Sequence, residues 1–183
     1  PPPRLVVNKP LPLAPPTLLR ARSGAHDARV APPELARGGA RHLRLRQVTR
    51  FLRIRVLGHD IRVAVRPGTA PGPPLVLCNG IGASLDLLQP FVDEVDPRIE
   101  VGRFDVPGVG GSPMAKVPYN FAMLAWLVAT LVDRLGYDRF DVLGISWGGG
   151  LAQQLAFQNP RRCRRVVLVS TGTGMLMVPA RLG

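Results

Sequence analysis

Phe140-Asp141-Val142-Leu143-Gly144-Ile145-Ser146-Trp147-Gly148-Gly149-Gly150-Leu151-Ala152-Gln153-Gln154 is the most telling run of the chain. Its first six residues read as a buried strand, and residues 147–159, halted by Pro160, read as a helix. At the junction, Gly144-Ile145-Ser146-Trp147-Gly148 fits the pattern G-x-S-x-G. A serine on such a strand-to-helix turn is strained, with its hydroxyl pushed out of the sheet. Glycines two before and two after it are needed because a side chain there would strike neighbouring backbone. Composition alone yields roughly 0.06 chance occurrences of the bare pattern in this chain. Ser146 is therefore the candidate nucleophile, weighed against an ordinary glycine-rich turn that opens a helix.

The same strand-turn-helix rhythm extends to either side. After Pro71-Gly72-Pro73-Pro74, the apolar run Leu75-Val76-Leu77-Cys78 predicts a buried strand that ends in a glycine-rich turn at residues 79–82. A helix is expected over 84–95, strained by Pro90, then a strand over 101–106 closed by Pro107-Gly108. Asn120 caps a helix whose Leu124, Leu127, Val128, Leu131 and Leu135 recur at 3.6-residue spacing, with Gly136 at its end. A last strand is expected over 165–170. Upstream, residues 51–56 and 61–66 alternate apolar residues with arginines around Leu57-Gly58-His59-Asp60, which predicts a two-stranded hairpin. Its arginines suit a charged guard on a sheet edge better than a nucleic-acid face, because aromatic stacking partners are nearly absent there. The fold class is α/β: a mostly parallel doubly wound sheet with an antiparallel N-terminal hairpin. Ligands in such sheets sit beyond the carboxyl ends of the strands, which directs attention to the turns after Cys78, Phe104 and Ile145.

A serine nucleophile attacking a carbonyl creates an oxyanion that needs preorganised donors. The backbone N–H of Trp147, at the start of a helix, is one candidate. The second is the N–H of Ile81 in Asn79-Gly80-Ile81-Gly82, where Gly80 and Gly82 free the backbone. Asn79, Gly80, Gly82, Gly144 and Gly148 are the supporting residues. Asp105 opens the glycine-rich turn Pro107-Gly108-Val109-Gly110-Gly111-Ser112 and is read as a structural carboxylate that ties the turn through backbone N–H groups. Cys78 is read as a small buried hydrophobe, and Trp126 as core with the leucines of its helix.

Composition sets the outer limits. A chain of 183 residues that is 46% hydrophobic and 20% charged is globular and about one domain long. No apolar run approaches the ~18 residues of a membrane-spanning helix. Two cysteines, Cys78 and Cys163, make neither a disulfide framework nor a zinc site, and His26, His42 and His59 lack ligand spacing. No metal and no cofactor are expected. The net charge of +12 is concentrated in residues 1–66, which carry 14 Lys and Arg against 3 acidic residues, whereas residues 67–183 hold 10 against 9. Nucleic acid is not expected as a partner. Nine of the twenty prolines fall in the first forty residues, so residues 1–45 are expected to be an unstructured leader before a domain over 46–183.

Taken together, these motifs resemble the α/β-hydrolases, and more closely the intracellular medium-chain-length poly(3-hydroxyalkanoate) depolymerases. The resemblance runs from Arg50 through Ile61-Arg62-Val63-Ala64-Val65-Arg66-Pro67-Gly68, Asn79-Gly80-Ile81-Gly82-Ala83 and Phe104-Asp105-Val106-Pro107-Gly108-Val109-Gly110-Gly111-Ser112. It continues through Gly144-Ile145-Ser146-Trp147-Gly148-Gly149 and Leu151-Ala152-Gln153-Gln154 to Met177-Val178-Pro179. Asn-Gly at the loop after Cys78 is the depolymerase-like feature, where many relatives carry His-Gly.

The resemblance implies a Ser-Asp-His triad cleaving an intracellular storage polyester, in the cytoplasm and at the granule, with Ser146 as nucleophile. The fold's chain order is serine, then acid, then histidine. From Trp147 to Gly183 there is no Asp, Glu or His. The acid, the histidine, the lid and the last strands are accordingly expected beyond residue 183. Without them the chain is expected to be inactive and the edge of its last strand to lie open. The rival expectations are a carboxylesterase or thioesterase of small substrates, and a non-catalytic hydrolase-fold fragment whose basic leader binds an anionic surface.

Overall fold

The computed structural model of the chain describes residues 4–7, as backbone, and 48–172. The rest of the expected leader, with His26 and His42, and Met177-Val178-Pro179 lie outside the described residues. Among the described residues, seven strands form one sheet in the order β1-β7-β6-β4-β5-β3-β2. They are β1 (Arg4–Val7), β2 (Arg50–Val56), β3 (His59–Arg66), β4 (Leu75–Cys78), β5 (Val101–Phe104), β6 (Phe140–Ile145) and β7 (Cys163–Val169). The pairs β1/β7, β7/β6, β6/β4 and β4/β5 are parallel, whereas β5/β3 and β3/β2 are antiparallel. The mostly parallel sheet with its antiparallel hairpin is the expected α/β-hydrolase architecture.

Period-two alternation divides the strands between two apolar layers. Val76, Cys78, Phe104 and Val142 face the helices α2 (Phe121–Arg134) and α3 (Trp147–Gln158), where Leu124, Leu127, Val128, Leu151 and Leu155 complete the core. Leu77, Val101 and Leu143 face the other way, onto Leu88 and onto Val92 of α1 (Gln89–Glu94). The cap signals of α2 act as read. The Asn120 side chain accepts the Met123 N–H at 3.0 Å, and Gly136 ends the helix at φ +81°. The hairpin turns through Leu57-Gly58, and in its register Arg55 stands opposite Asp60, with which it pairs at 2.9 Å.

Four expectations need correction. Within the leader, Arg4–Val7 is a strand rather than unstructured chain, because Leu5-Val6-Val7 is a short apolar run with two β-branched valines that finds a parallel partner in β7. The edge of β7 is for the same reason covered rather than open. The helix expected over 84–95 is split into a 3-10 turn at Leu85–Leu88 and α1, since Pro90 has no N–H and is tolerated only in a helix's first turn. Trp126 is 61% exposed rather than core. It lies two residues from Leu124, about 200° around the helix, on the side away from the sheet.

Candidate active site

Ser146 stands between β6 and α3 at φ +52° and ψ −120°, a conformation that side chains seldom adopt, and it is exposed. Its backbone N–H donates to the Val169 carbonyl of β7 at 2.9 Å, which fixes the turn to the neighbouring strand. The flanking glycines are sterically required. A β-carbon at Gly144 would collide with the Gly148 carbonyl, and one at Gly148 would collide with the carbonyls of Cys78 and Asn79. The serine is thus lifted clear of the sheet while α3 packs down behind it. Phe121, at the start of α2, holds the Trp147 ring with a centroid separation of 5.0 Å.

The loop after β4 runs beside this turn because Cys78 is in register with Gly144. A β-carbon at Gly80 would stand 4.0 Å from Ser146 Cβ. Asn79 shapes the loop: its Oδ1 accepts the Gly80 N–H at 2.8 Å and its Nδ2 donates to the Ser84 carbonyl at 2.8 Å. Gly80 accepts from Ala83 at 3.2 Å, and Gly82 turns at φ +67°. Among the described residues the N–H groups of Ile81 and Trp147 donate to no protein acceptor, the latter because the first residue of a helix has none within it. The structure therefore brings Asn79, Gly80, Ile81 and Gly82 to the same turn as Gly144, Ser146, Trp147 and Gly148.

Asp105 lies at the third turn and is fully buried. It accepts the Gly111 N–H at 2.8 Å, the turn-tying role read from the sequence. It also accepts the Leu85 N–H at 2.6 Å, which the sequence did not disclose. Arg62 of β3 bridges it at 3.4 Å to Asp86, which Arg62 contacts at 2.7 Å. The hydrogen bond from Arg62 holds the Asp86 carboxyl below the usual range. Arg103, 1% exposed, donates to the Leu85 carbonyl at 3.1 Å and to Gln89 Oε1 at 2.8 Å. A clue to this network was present in Val101-Gly102-Arg103-Phe104, since an arginine in a wholly buried strand must find partners.

Burial pushes the Cys78 thiol up to about 12, so this residue beside the loop is a hydrophobe and not a second nucleophile. His59 opens β3, and among the described residues no hydrogen bond reaches the Ser146 hydroxyl. No cluster among the described residues has the make-up to hold a metal ion, and no described helix is long and apolar enough to cross a membrane.

Residues 73–182 match the family described as alpha/beta hydrolase fold. The chain is 48% identical over 131 residues to a poly(3-hydroxyalkanoate) depolymerase of Ectopseudomonas oleovorans, covering 72% of this chain and 46% of that one. It is 35% identical over 101 residues to a pimeloyl-(acyl-carrier protein) methyl ester esterase of Aeromonas hydrophila, covering 55% and 38%. Among solved structures, a hydrolase from Pseudomonas aeruginosa superposes with a TM-score of 0.62 at 32% identity, over 72% of this chain and 48% of that one. The chain spans less than half the length of these curated relatives.

Proposed function

The chain belongs to the α/β-hydrolase family, and from that premise we propose that it carries the nucleophile and oxyanion loop of a serine ester hydrolase acting on an intracellular poly(3-hydroxyalkanoate). The observation that carries this reading is the positive φ of Ser146 on an exposed strand-to-helix turn, beside two backbone N–H groups that have no acceptor among the described residues. This mechanism requires an acid and a histidine, which residues 147–183 do not contain. The histidine takes the Ser146 proton as Ser146 Oγ attacks the ester carbonyl, and the oxyanion is held by the N–H groups of Ile81 and Trp147. Collapse expels the alkoxide, which receives that proton and leaves as an alcohol. Water, deprotonated by the same histidine, then attacks the acyl-enzyme, releasing the 3-hydroxy acid and returning the proton to Ser146.

The polyester reading is supported by the 48% identity to the depolymerase, and a small-ester reading by the 35% identity to the methyl ester esterase. Turnover of a polyester granule compared with that of a short p-nitrophenyl ester, in the full-length protein, separates them. Activity on both substrates that Ser146→Ala abolishes is the expected result. Activity on the p-nitrophenyl ester alone selects the small-ester reading, and activity that survives Ser146→Ala removes the serine mechanism.

A further inference from the structure

An oxyanion donor is effective only if it is held still while charge develops, because a donor that must reorient loses most of its value. The loop over 79–84 contains two glycines, and Ile81 at its tip is 76% exposed, so packing does not immobilise it. Its near end is pinned by the two Asn79 hydrogen bonds to Gly80 and Ser84. Its far end, already tied by the Asn79 and Leu87 hydrogen bonds to the Ser84 carbonyl, is held further at Leu85, through both of that residue's backbone groups. The Leu85 N–H is bound by Asp105 at 2.6 Å and the Leu85 carbonyl by Arg103 at 3.1 Å. Arg103 and Asp105 lie two apart along one extended segment, so both side chains emerge on the α1 side of the sheet, where Leu85 passes.

This arrangement is a costly way to fill that space. Leu77, Val101 and Leu143 form an apolar layer on the same side, and a hydrophobic residue in place of a buried guanidinium is often neutral or stabilising. Among the described residues Arg103 Nε is buried without a hydrogen-bond partner, as is Arg66 Nε, so what sets Arg103 apart is the carbonyl it holds and not its unpaired nitrogen. Resting on the reading of Ser146 as nucleophile, we propose that Arg103 and Asp105 are positioning residues that hold the two backbone groups of Leu85 and thereby hold the Ile81 N–H where the oxyanion forms.

Arg66 supplies a matched control. It is 7% exposed and donates to the carbonyls of Val92, Val95, Asp96 and Ile99, none of which lies in the loop. In the full-length protein, kcat and KM for a soluble p-nitrophenyl ester and hydrogen exchange of amides 80–85 are measured for Arg103→Met, Arg103→Lys and Arg66→Met. Arg103→Met is expected to lower kcat about tenfold or more with KM within about twofold, and to accelerate exchange in the loop by a similar factor. Arg103→Lys recovers part of both. Arg66→Met lowers Tm at least as much, yet leaves kcat and loop exchange within about twofold of the parent. Equal loss of kcat in the Arg66 and Arg103 variants overturns the proposal, as does an Arg103→Met variant that melts earlier with unchanged kcat and loop exchange. If Arg103→Met does not fold, Arg103→Lys carries the test, with parental kcat and loop exchange as the refuting result. A parent protein without esterase activity refutes the reading of Ser146 instead, and loop exchange still decides whether the clamp exists.

Discussion

Gly148, in the first turn of α3, presses so closely on the carbonyl oxygen of Cys78, the last residue of β4, that no β-carbon fits between them. The helix behind the nucleophile and the strand feeding the oxyanion loop are therefore in direct backbone contact. Neither moves without the other.

Gly148→Ala should accordingly destabilise the protein by about 3 kcal/mol, the upper part of the range for forced overpacking, because backbone rather than a pliable side chain must yield. Gly72→Ala, at a position with open space around it, should stay within about 0.5 kcal/mol of the parent. Urea denaturation midpoints of the two variants provide the comparison.

Ser146 stores strain that its hydroxyl requires. At φ +52° a glycine is at ease where serine or alanine is not, so Ser146→Gly should be more stable than Ser146→Ala by about 1 kcal/mol. Both should lose ester hydrolysis. Equal stability of the two variants by thermal or chemical denaturation would contradict the strain.

The thiols should be silent in the native state. Burial raises Cys78 to about 12, and burial together with Asp141 raises Cys163 to about 11, so neither is appreciably ionised at pH 8. Ellman's reagent should find no reactive thiol in the folded protein and two after denaturation. Fast reaction of one thiol before unfolding would place it at the surface.

Tyr137 should make stability fall in alkali. Burial, followed by its hydrogen bond to the Glu100 carboxylate, raises the phenol above its ordinary value of 10. Between that value and the higher folded one, the folded protein keeps a proton that the unfolded chain releases, so rising pH favours unfolding. The stabilisation is whole below pH 10 and is lost above it. Tm should decline more steeply above pH 10 in the parent than in Tyr137→Phe.

Much of the architecture was legible because each element carries its own signal. Leu75–Cys78 is a strand as read, since a continuous apolar run ending in a glycine-rich turn fits the centre of a parallel sheet. The Asn120 cap and Gly136 stop mark α2 to within a residue. Where the reading failed, the deciding interaction was with something distant in sequence. Leu5-Val6-Val7 becomes a strand only because β7 offers it a partner. Trp126 looked like core by hydrophobicity, although the sheet lies on the other side of its helix.

The candidate site divides along the same line. The G-x-S-x-G spacing, the Asn-Gly loop and their places at strand ends are local features, and backbone sterics alone tie the glycines to the serine between them. Which loop lies beside Ser146, and what holds it there, depends on the strand order that brings β4 alongside β6 and lets Arg103 and Asp105 reach Leu85 from β5 and the turn after it. A chain pattern records which residues must be buried or turned. It does not record which buried donor will meet which carbonyl, because that pairing is made only when the sheet closes and each polar group excluded from water must find the nearest partner.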